Sequence, residues 1–379
     1  MKNFVKLIKQ AHEERFSVVM NKIATKKIPV AFLSVAPTAQ AVAITQNLRG
    51  QGLNITNLFI VDNNPPPTAN LDFKVVHVKD AAQVYPQPEY VVTTDDIAAR
   101  VAIKNLPASK VTGIDKGNTE HIYETFMTHL DDLREVYESL IDEESKKTFC
   151  GYWLGRISNR LGEVVHSNAA HYLINAFIPA SGAVAIDCGV FDGGTAAIFA
   201  EMGYKVYGFE IDRVNYERSL KVAEEKNFVV ENLGLGSYKH DGHYDLKGHS
   251  GNKLTAGGSQ TVPVTTIDAY AREHRLPSVD FIKMDVEGAE LDILKGAKTS
   301  IARYKPILAL SAYHKLDDFW TLMNFVKSIR PDYEFALRHS FETPEEEPAN
   351  FSVNYINYLT GLGLEPDNRN LYECVLFAR

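Results

Sequence analysis

The hydrophobic positions fall into short apolar runs separated by helix-period segments, and this alternation repeats twice along the chain. Residues 2–24 open with an amphipathic helix that sets Phe4, Leu7, Ile8 and Phe16 along one side. Strands are then predicted at Ile28–Val35, Thr56–Asp62, Phe73–Val78, Glu89–Thr94 and Val111–Asp115, with helices between them such as Gln40–Arg49. The triple-proline stretch Asn63–Thr68 must be a loop. A second series runs through strands Ala183–Asp187, Lys205–Glu210, Phe228–Glu231, Asp280–Asp285 and Ile307–Ala312, and ends with Tyr333–Arg338 and Glu373–Ala378. Helices are expected at Thr195–Met202, Tyr216–Glu225, Glu290–Ala297 and Leu316–Ser328. Apolar strands alternating with helices indicate an α/β class with parallel sheets covered on both faces.

The pattern divides the chain into a smaller Rossmann-like unit over 1–117, a helical connector or cap over 118–178, and a larger α/β domain over 179–379. In the connector, Trp153, Ile157 and Leu161 at helical spacing read as packing residues. The charged run Asp142–Lys147 reads as a solvated hinge, and residues 234–261, rich in Gly, His, Ser and Lys, as a long loop or small hairpin.

At 379 residues with 45% hydrophobic and 23% charged positions, each half can bury an ordinary core. The net charge of −8 changes the picture by exclusion. No Lys/Arg cluster is present to displace counterions from a phosphate backbone, so nucleic acid is not an expected partner, and neither is an anionic membrane. Three scattered cysteines, Cys150, Cys188 and Cys374, do not make a disulfide framework or a zinc site. No signal-peptide or membrane-spanning run is evident, so the expected location is the cytoplasm; the oligomeric state is open, a homo-oligomer included.

The chemistry concentrates at Ala185-Ile-Asp-Cys-Gly-Val-Phe-Asp-Gly-Gly-Thr195, between an apolar strand and a helix. Glycines there let backbone and ligand approach closely. The spacing is Gly189-x-x-x-Gly193, and Phe191 stands where a dinucleotide fold needs its second glycine. This disfavours an NAD-dependent oxidoreductase or epimerase, and the absence of Gly-Lys-Ser/Thr excludes a Walker loop. Asp187 and Asp192 suit a cationic ligand without phosphate, such as S-adenosylmethionine, better than a pyrophosphate. Glu210, about twenty residues on, ends the next strand, where a carboxylate accepts hydrogen bonds from ribose hydroxyls. Asp212 is the second choice for that role, and Asn232 lies within reach of an adenine.

Asp285, Glu287 and Glu290 follow the strand at Asp280, and the sequence suggests that they cannot all face one way. Asp285 is expected at the pocket mouth and Glu290 at the first turn of a helix. His314 follows the strand Ile307–Ala312, at the carboxyl edge where ligands of parallel sheets collect. Asp285 and His314 are therefore the candidates to take a proton from an acceptor hydroxyl. A divalent metal held by Asp285 would lower the hydroxyl pKa instead, although no full ligand set is evident. His240, His243 and His249, with Asp241 and Asp245, lack metal-site spacing and read as a solvated loop. Ser34–Gln40 occupies a phosphate-loop position without glycines, and Asp62 ends a strand as Glu210 does, so the first unit reads as a degenerate, non-binding one.

At these residues the sequence resembles the FkbM family of methyltransferases. The resemblance rests on the 185–194 stretch, Tyr207–Asp212, Val262–Asp268, Asp280–Leu291 with Lys295-Gly-Ala, Lys305-Pro306, Tyr313-His314-Lys315 and Phe335–His339, in order over 165–379. It implies a class I methyltransferase domain with a seven-stranded, mostly parallel sheet. It further implies O-methylation with S-adenosylmethionine, often of glycans or polyketide-type natural products. The N-terminal half resembles the extra Rossmann-like domain of some bacterial members. The stretch 341–370, with the acidic run Thr343–Pro348, departs from the family in length. The rival from another class is a non-catalytic protein that binds a glycan or small molecule on the same scaffold.

Overall fold

The computed structural model describes residues 1–12, five strands between 30 and 113, residues 118–158, 165, 167, 171–246, 251–339 and 373–379. The helix at Gln40–Arg49, the Ser34–Gln40 turn, Phe16, Leu161, His249 and the 341–370 stretch lie outside them. Contacts divide the chain into two compact units. The first comprises Met1–Leu130, Thr148–His166 and Glu342–Tyr372; the second comprises Asp131–Lys147, Ser167–Phe341 and Glu373–Arg379.

In the first unit, five strands form a sheet in the order β3-β2-β1-β4-β5: β1 Val30–Leu33, β2 Leu58–Asp62, β3 Lys74–His77, β4 Glu89–Val92 and β5 Lys110–Gly113. All four pairings are parallel. All five match sequence predictions to within a few residues. The opening helix, described over 2–12, buries Phe4, Ile8 and Ala11. These stand at i, i+4 and i+7, so Ala11 completes the stripe, and Leu7, expected on it, is 51% exposed. Phe4 meets Phe126 edge-on at 5.8 Å, and Phe126 meets Trp153 at 5.3 Å. Trp153 and Ile157 are fully buried, as packing residues should be.

The second unit holds a seven-stranded sheet in the order β14-β15-β13-β12-β6-β7-β8. The strands are β6 Val184–Cys188, β7 Lys205–Phe209, β8 Val229–Glu231, β12 Phe281–Met284, β13 Ile307–Ser311, β14 Phe335–His339 and β15 Cys374–Ala378. Only β15 runs antiparallel to its neighbours. The mostly parallel sheet expected from the apolar runs is therefore present. β6, β12, β14 and β15 are buried along their whole length, so their apolar residues do not alternate with solvent-facing polar ones. Helix Gly194–Glu201 presses Phe199 edge-on against Phe281 at 5.1 Å.

Several local features go beyond the sequence reading. Of the two readings of residues 234–261, the hairpin is present: β10 (His240–Tyr244) pairs antiparallel with β11 (Gln260–Thr265), and β9 (Gly234–Leu235) adds a third strand in the order β10-β11-β9. His240 and His243 therefore sit on a strand, not a loop. Helices Ile267–Glu273 and Lys298–Tyr304 were not signalled by the hydrophobic pattern. The charged run at 142–147 leads into helix Glu143–Ser158. Asp142 accepts from the Ser145 N–H at 2.7 Å and from both terminal nitrogens of Arg338, at 3.2 and 2.9 Å. A carboxylate capping a helix while holding a nearly buried guanidinium is a fixed point. Burial pushes the Asp142 carboxyl up, but Arg338 and Ser145 outweigh it and hold it below its ordinary value.

Candidate functional site

From β6 the chain proceeds outward to β7 and β8, then returns to the other side of β6 for β12 and β13. The strand order thus reverses between β6 and β12, and crevices beyond the carboxyl ends of such strands collect ligands. Every candidate site residue lies at or just past one of these ends.

Lys283 stands directly across from Asp187 in the β12–β6 register. Its ammonium lies 2.9 Å from Asp187 Oδ1 and donates to the Gly189 carbonyl at 2.7 Å. Both side chains are enclosed, at 4% and 0% exposure. Burial pushes the Asp187 carboxyl up while Lys283 opposes the shift. Burial also pulls the Lys283 ammonium down, but Asp187 and Asp285 more than offset this and hold it above its ordinary value. By sequence Asp187 is a cofactor-binding candidate. Its position is that of a buried counter-ion which, through Lys283, fixes the turn after β6.

That turn is left-handed at three points: Gly189 (φ 83°), Phe191 (φ 54°) and Gly193 (φ 96°). A Cβ on Gly189 would lie 2.0 Å from the Asp285 carbonyl oxygen, so residue 189 must be glycine for the ends of β6 and β12 to meet. Gly189 and Val190 donate to the Phe209 carbonyl at 3.0 and 3.1 Å, tying the turn to β7. Asp192 accepts from Gly194 N–H at 3.0 Å and closes the entry to the helix.

The left-handed Phe191 sends its N–H to Glu210 Oε2 at 2.9 Å, and Asp212 N–H reaches Oε1 at 2.8 Å. Each carboxylate oxygen thus has one backbone donor and keeps acceptor capacity for a second. Glu210 is 6% exposed, and burial pushes its carboxyl up to about 7 against those two N–H bonds. Asp212 caps helix Arg213–Lys226 by accepting from Val214 and Asn215 N–H, a structural task. Asn232 donates to the Glu210 and Ile211 carbonyls at 2.8 and 3.1 Å. Its amide thereby fastens the end of β7.

Beyond β12 and β13, His314 is ringed by acids. Nδ1 is 2.8 Å from Glu290 Oε1, while Nε2 is 3.4 Å from Asp285 Oδ1 and 3.7 Å from Glu287 Oε2. The three carboxylates do not all face one way, as the sequence suggests, yet they meet around one ring: Glu290 on its Nδ1 side, Asp285 and Glu287 on its Nε2 side. Glu287 is left-handed (φ 56°), and this swings the three around both ring nitrogens. Glu290 Oε1 also accepts from Val286 N–H at 3.1 Å, so it does tie down the turn before its own helix. Burial pulls the His314 imidazole down, but Glu290, Asp285 and Glu287 outweigh it and hold it above its ordinary value. Burial likewise pushes the Asp285 carboxyl up, yet Lys283, His314 and Tyr172 keep it below its usual range.

Two residues at this corner were missed by sequence reasoning. The buried Tyr172 hydroxyl donates to Asp285 Oδ2 at 2.8 Å, and Tyr313 donates to Oδ1 at 3.3 Å. Tyr313 follows β13 and adjoins His314, so its position was a signal. Tyr172 comes from a segment without chemical pattern and offered none. The His240/His243 pair is not part of the corner: His240 Nδ1 lies 3.1 Å from the Tyr238 carbonyl, and His243 lies 3.4 Å from Thr261 Oγ1.

Comparison with known proteins bears on the fold. A search of curated proteins finds no match. Among solved structures, a methyltransferase FkbM from Methylobacillus flagellatus aligns over 100% of this chain and 98% of its own, at 19% identity and a TM-score of 0.66. That likeness establishes the shared fold. An S-adenosylmethionine-dependent methyltransferase from Geobacter sulfurreducens, in complex with S-adenosyl-L-homocysteine, aligns over 53% of this chain and 85% of its own, at 12% identity and a TM-score of 0.29. This second likeness is too distant to carry an argument. Among protein families, the methyltransferase FkbM domain matches residues 187–341, which begin at the buried aspartate of β6 and run past β14. The stretch that matches the methyltransferase FkbM family model thus lies within the second unit of the chain.

Proposed function

We propose that the protein transfers a methyl group from S-adenosylmethionine to a hydroxyl of a glycan or natural-product small molecule. The observation that carries the reading is the carboxyl of Glu210, held at the end of β7 by the N–H groups of Phe191 and Asp212, beside the left-handed turn 189–193. An acid at this place, with one acceptor site left on each oxygen, fits the two hydroxyls of a ribose. The turn carries no pyrophosphate-binding glycine at 191, which suits a nucleoside without phosphates. S-adenosylmethionine, when bound, supplies an electrophilic methyl on its sulfonium.

The chain's own residues contribute position and charge. Lys283 and Asp187 hold the turn, Asn232 and Asp192 hold its flanks, and Glu210 orients the ribose. Asp285 and His314 form the acceptor side, where a sugar-like hydroxyl must lose its proton as it attacks. Tyr172 and Tyr313 keep the Asp285 carboxylate aimed at this corner. The same reading sets the enzyme in the cytoplasm, where its three free cysteines stay reduced.

The test is transfer of labelled methyl from S-adenosylmethionine to a panel of glycosides and polyketide-type alcohols, with His314→Gln and Glu210→Gln alongside. Label on an acceptor oxygen, lowered by both variants, supports the reading. Label on nitrogen or carbon only overturns the hydroxyl assignment.

A further inference from the structure

Glu290, itself fully buried, has Oε1 2.8 Å from His314 Nδ1 and accepts from Val286 N–H at the same oxygen; a carboxylate only accepts, and this assigns a proton to Nδ1. The opposite nitrogen, Nε2, makes no hydrogen bond, although the side chain is only 9% exposed. It points between Asp285 Oδ1 at 3.4 Å and Glu287 Oε2 at 3.7 Å. A neutral Nε2 presents a lone pair to two carboxylates, and all three groups repel. The arrangement calls for positive charge among them, either a second ring proton or a bound cation.

The distances favour the cation. Charge-assisted N–H···O bonds close to about 2.7–2.9 Å, and both contacts here are longer by half an ångström or more. Ligand atoms each about 2.1 Å from a common centre stand roughly 3.4 Å apart at the tetrahedral angle. One ligand atom from each of Asp285, Glu287 and His314 lies within 4.8 Å of the others. A ligating histidine commonly donates its other ring N–H to a carboxylate, which fixes the ring and raises its basicity. Glu290 occupies that place. The hydroxyl of Tyr172, on Asp285 Oδ2 at 2.8 Å, leaves Oδ1 on the His314 side.

We infer that Asp285, Glu287 and His314 bind a divalent cation through one oxygen of each carboxylate and Nε2, with Glu290 as a positioning residue. One imidazole with two carboxylates suits manganese or zinc better than magnesium, which prefers an all-oxygen shell and keeps most of its water. Three protein ligands leave coordination positions for an exchangeable oxygen. On the methyl-transfer reading, on which this one role rests, that oxygen is the acceptor hydroxyl, whose pKa the cation lowers. His314 then serves as a ligand, and the cation rather than the imidazole activates the nucleophile.

The probe is Mn2+ added to the full, chelator-treated chain. Unbound ion is followed by its room-temperature electron paramagnetic resonance signal, and the nitrogen ligand by pulsed measurement on the bound ion. Saturable uptake of a single equivalent is expected, with nitrogen coupling that His314→Gln removes. Glu287→Gln, at a half-exposed position with little folding risk, should weaken uptake about tenfold or more, and Glu290→Gln about 10–100-fold. No uptake by the folded wild type, or uptake that Glu287→Gln leaves unchanged, overturns the site. S-adenosylhomocysteine is titrated separately without metal. Its binding with no Mn2+ uptake sinks the cation site and spares the methyltransferase reading; Mn2+ uptake with no nucleoside binding does the reverse.

Discussion

Replacing Lys283 by methionine tests the role given to the buried pair beneath the turn. Methionine nearly preserves length and volume, so the perturbation is loss of charge and of the hydrogen bond to the Gly189 carbonyl at 2.7 Å. At 2.9 Å and an effective dielectric of about 20, the gross attraction to Asp187 is roughly 6 kcal/mol. Desolvation of both groups offsets most of it, so the pair itself contributes little net stability. Breaking it is another matter, because Asp187 at 0% exposure is left charged and alone. The expected cost of Lys283→Met is about 3–5 kcal/mol. The double variant Asp187→Asn/Lys283→Met should recover most of that loss. The sign of the pH dependence follows from burial. Without Lys283 the Asp187 carboxyl is driven further up, above its unfolded value, so the single variant should lose stability as pH rises through that window and regain it in acid. The assay is amide hydrogen exchange in β6 and β12, which reads this sheet apart from the first unit. A loss under about 1 kcal/mol, or a double variant no better than the single, would refute the reasoning.

Other predictions follow from the same geometry. Gly189→Ala must fit a Cβ 2.0 Å from the Asp285 carbonyl at φ 83°, so it should part the ends of β6 and β12 and lower the melting temperature by several degrees, measured by scanning calorimetry. Glu210, pushed up to about 7 from 4.5, lies above its unfolded value, so the free protein should lose roughly 3 kcal/mol as pH rises across that interval. Ribose hydroxyls favour the ionised form, and nucleoside binding at pH near 6.5 should therefore release a proton, read as a buffer-dependent binding enthalpy that Glu210→Gln removes. Burial pushes the Cys150 thiol up to about 11 and the Cys188 thiol well above its ordinary value. Neither should react with a thiol reagent at pH 8 until the protein is unfolded.

Much of this was legible in the chain because the central strands are buried on both faces. Runs such as Val184–Cys188 and Phe281–Met284 carry no alternation to confuse with a helix. β11 was hidden because Gln260-Thr-Val-Pro-Val-Thr265 reads as an interrupted run, with Pro263 opposite Asp241 in the ladder. Helix Lys298–Tyr304 has Ala297 at its N-cap, which is also the C-cap of the preceding helix, so no polar cap residue announced it. Glu210, Asp285 and His314 lie just past the ends of β7, β12 and β13, where the sequence places them, since a βα junction puts its last residues at the carboxyl edge of the sheet. Their partners were a different matter. That Lys283 faces Asp187 depends on register between strands about a hundred residues apart, and that Tyr172 reaches Asp285 depends on a segment with no periodic signal. The convergence of Glu287 and Glu290 on one imidazole required the left-handed backbone at 287, which a glutamate does not advertise.

Calorimetric titration of the full chain with S-adenosylhomocysteine, with NAD and Glu210→Ala in parallel, tests the central claim most directly. The account predicts saturable binding of the nucleoside thioether, none of NAD, and loss of binding in the folded variant. No binding to a folded, ligand-free wild type would contradict it and favour a non-catalytic protein that binds glycans or small molecules on a methyltransferase scaffold.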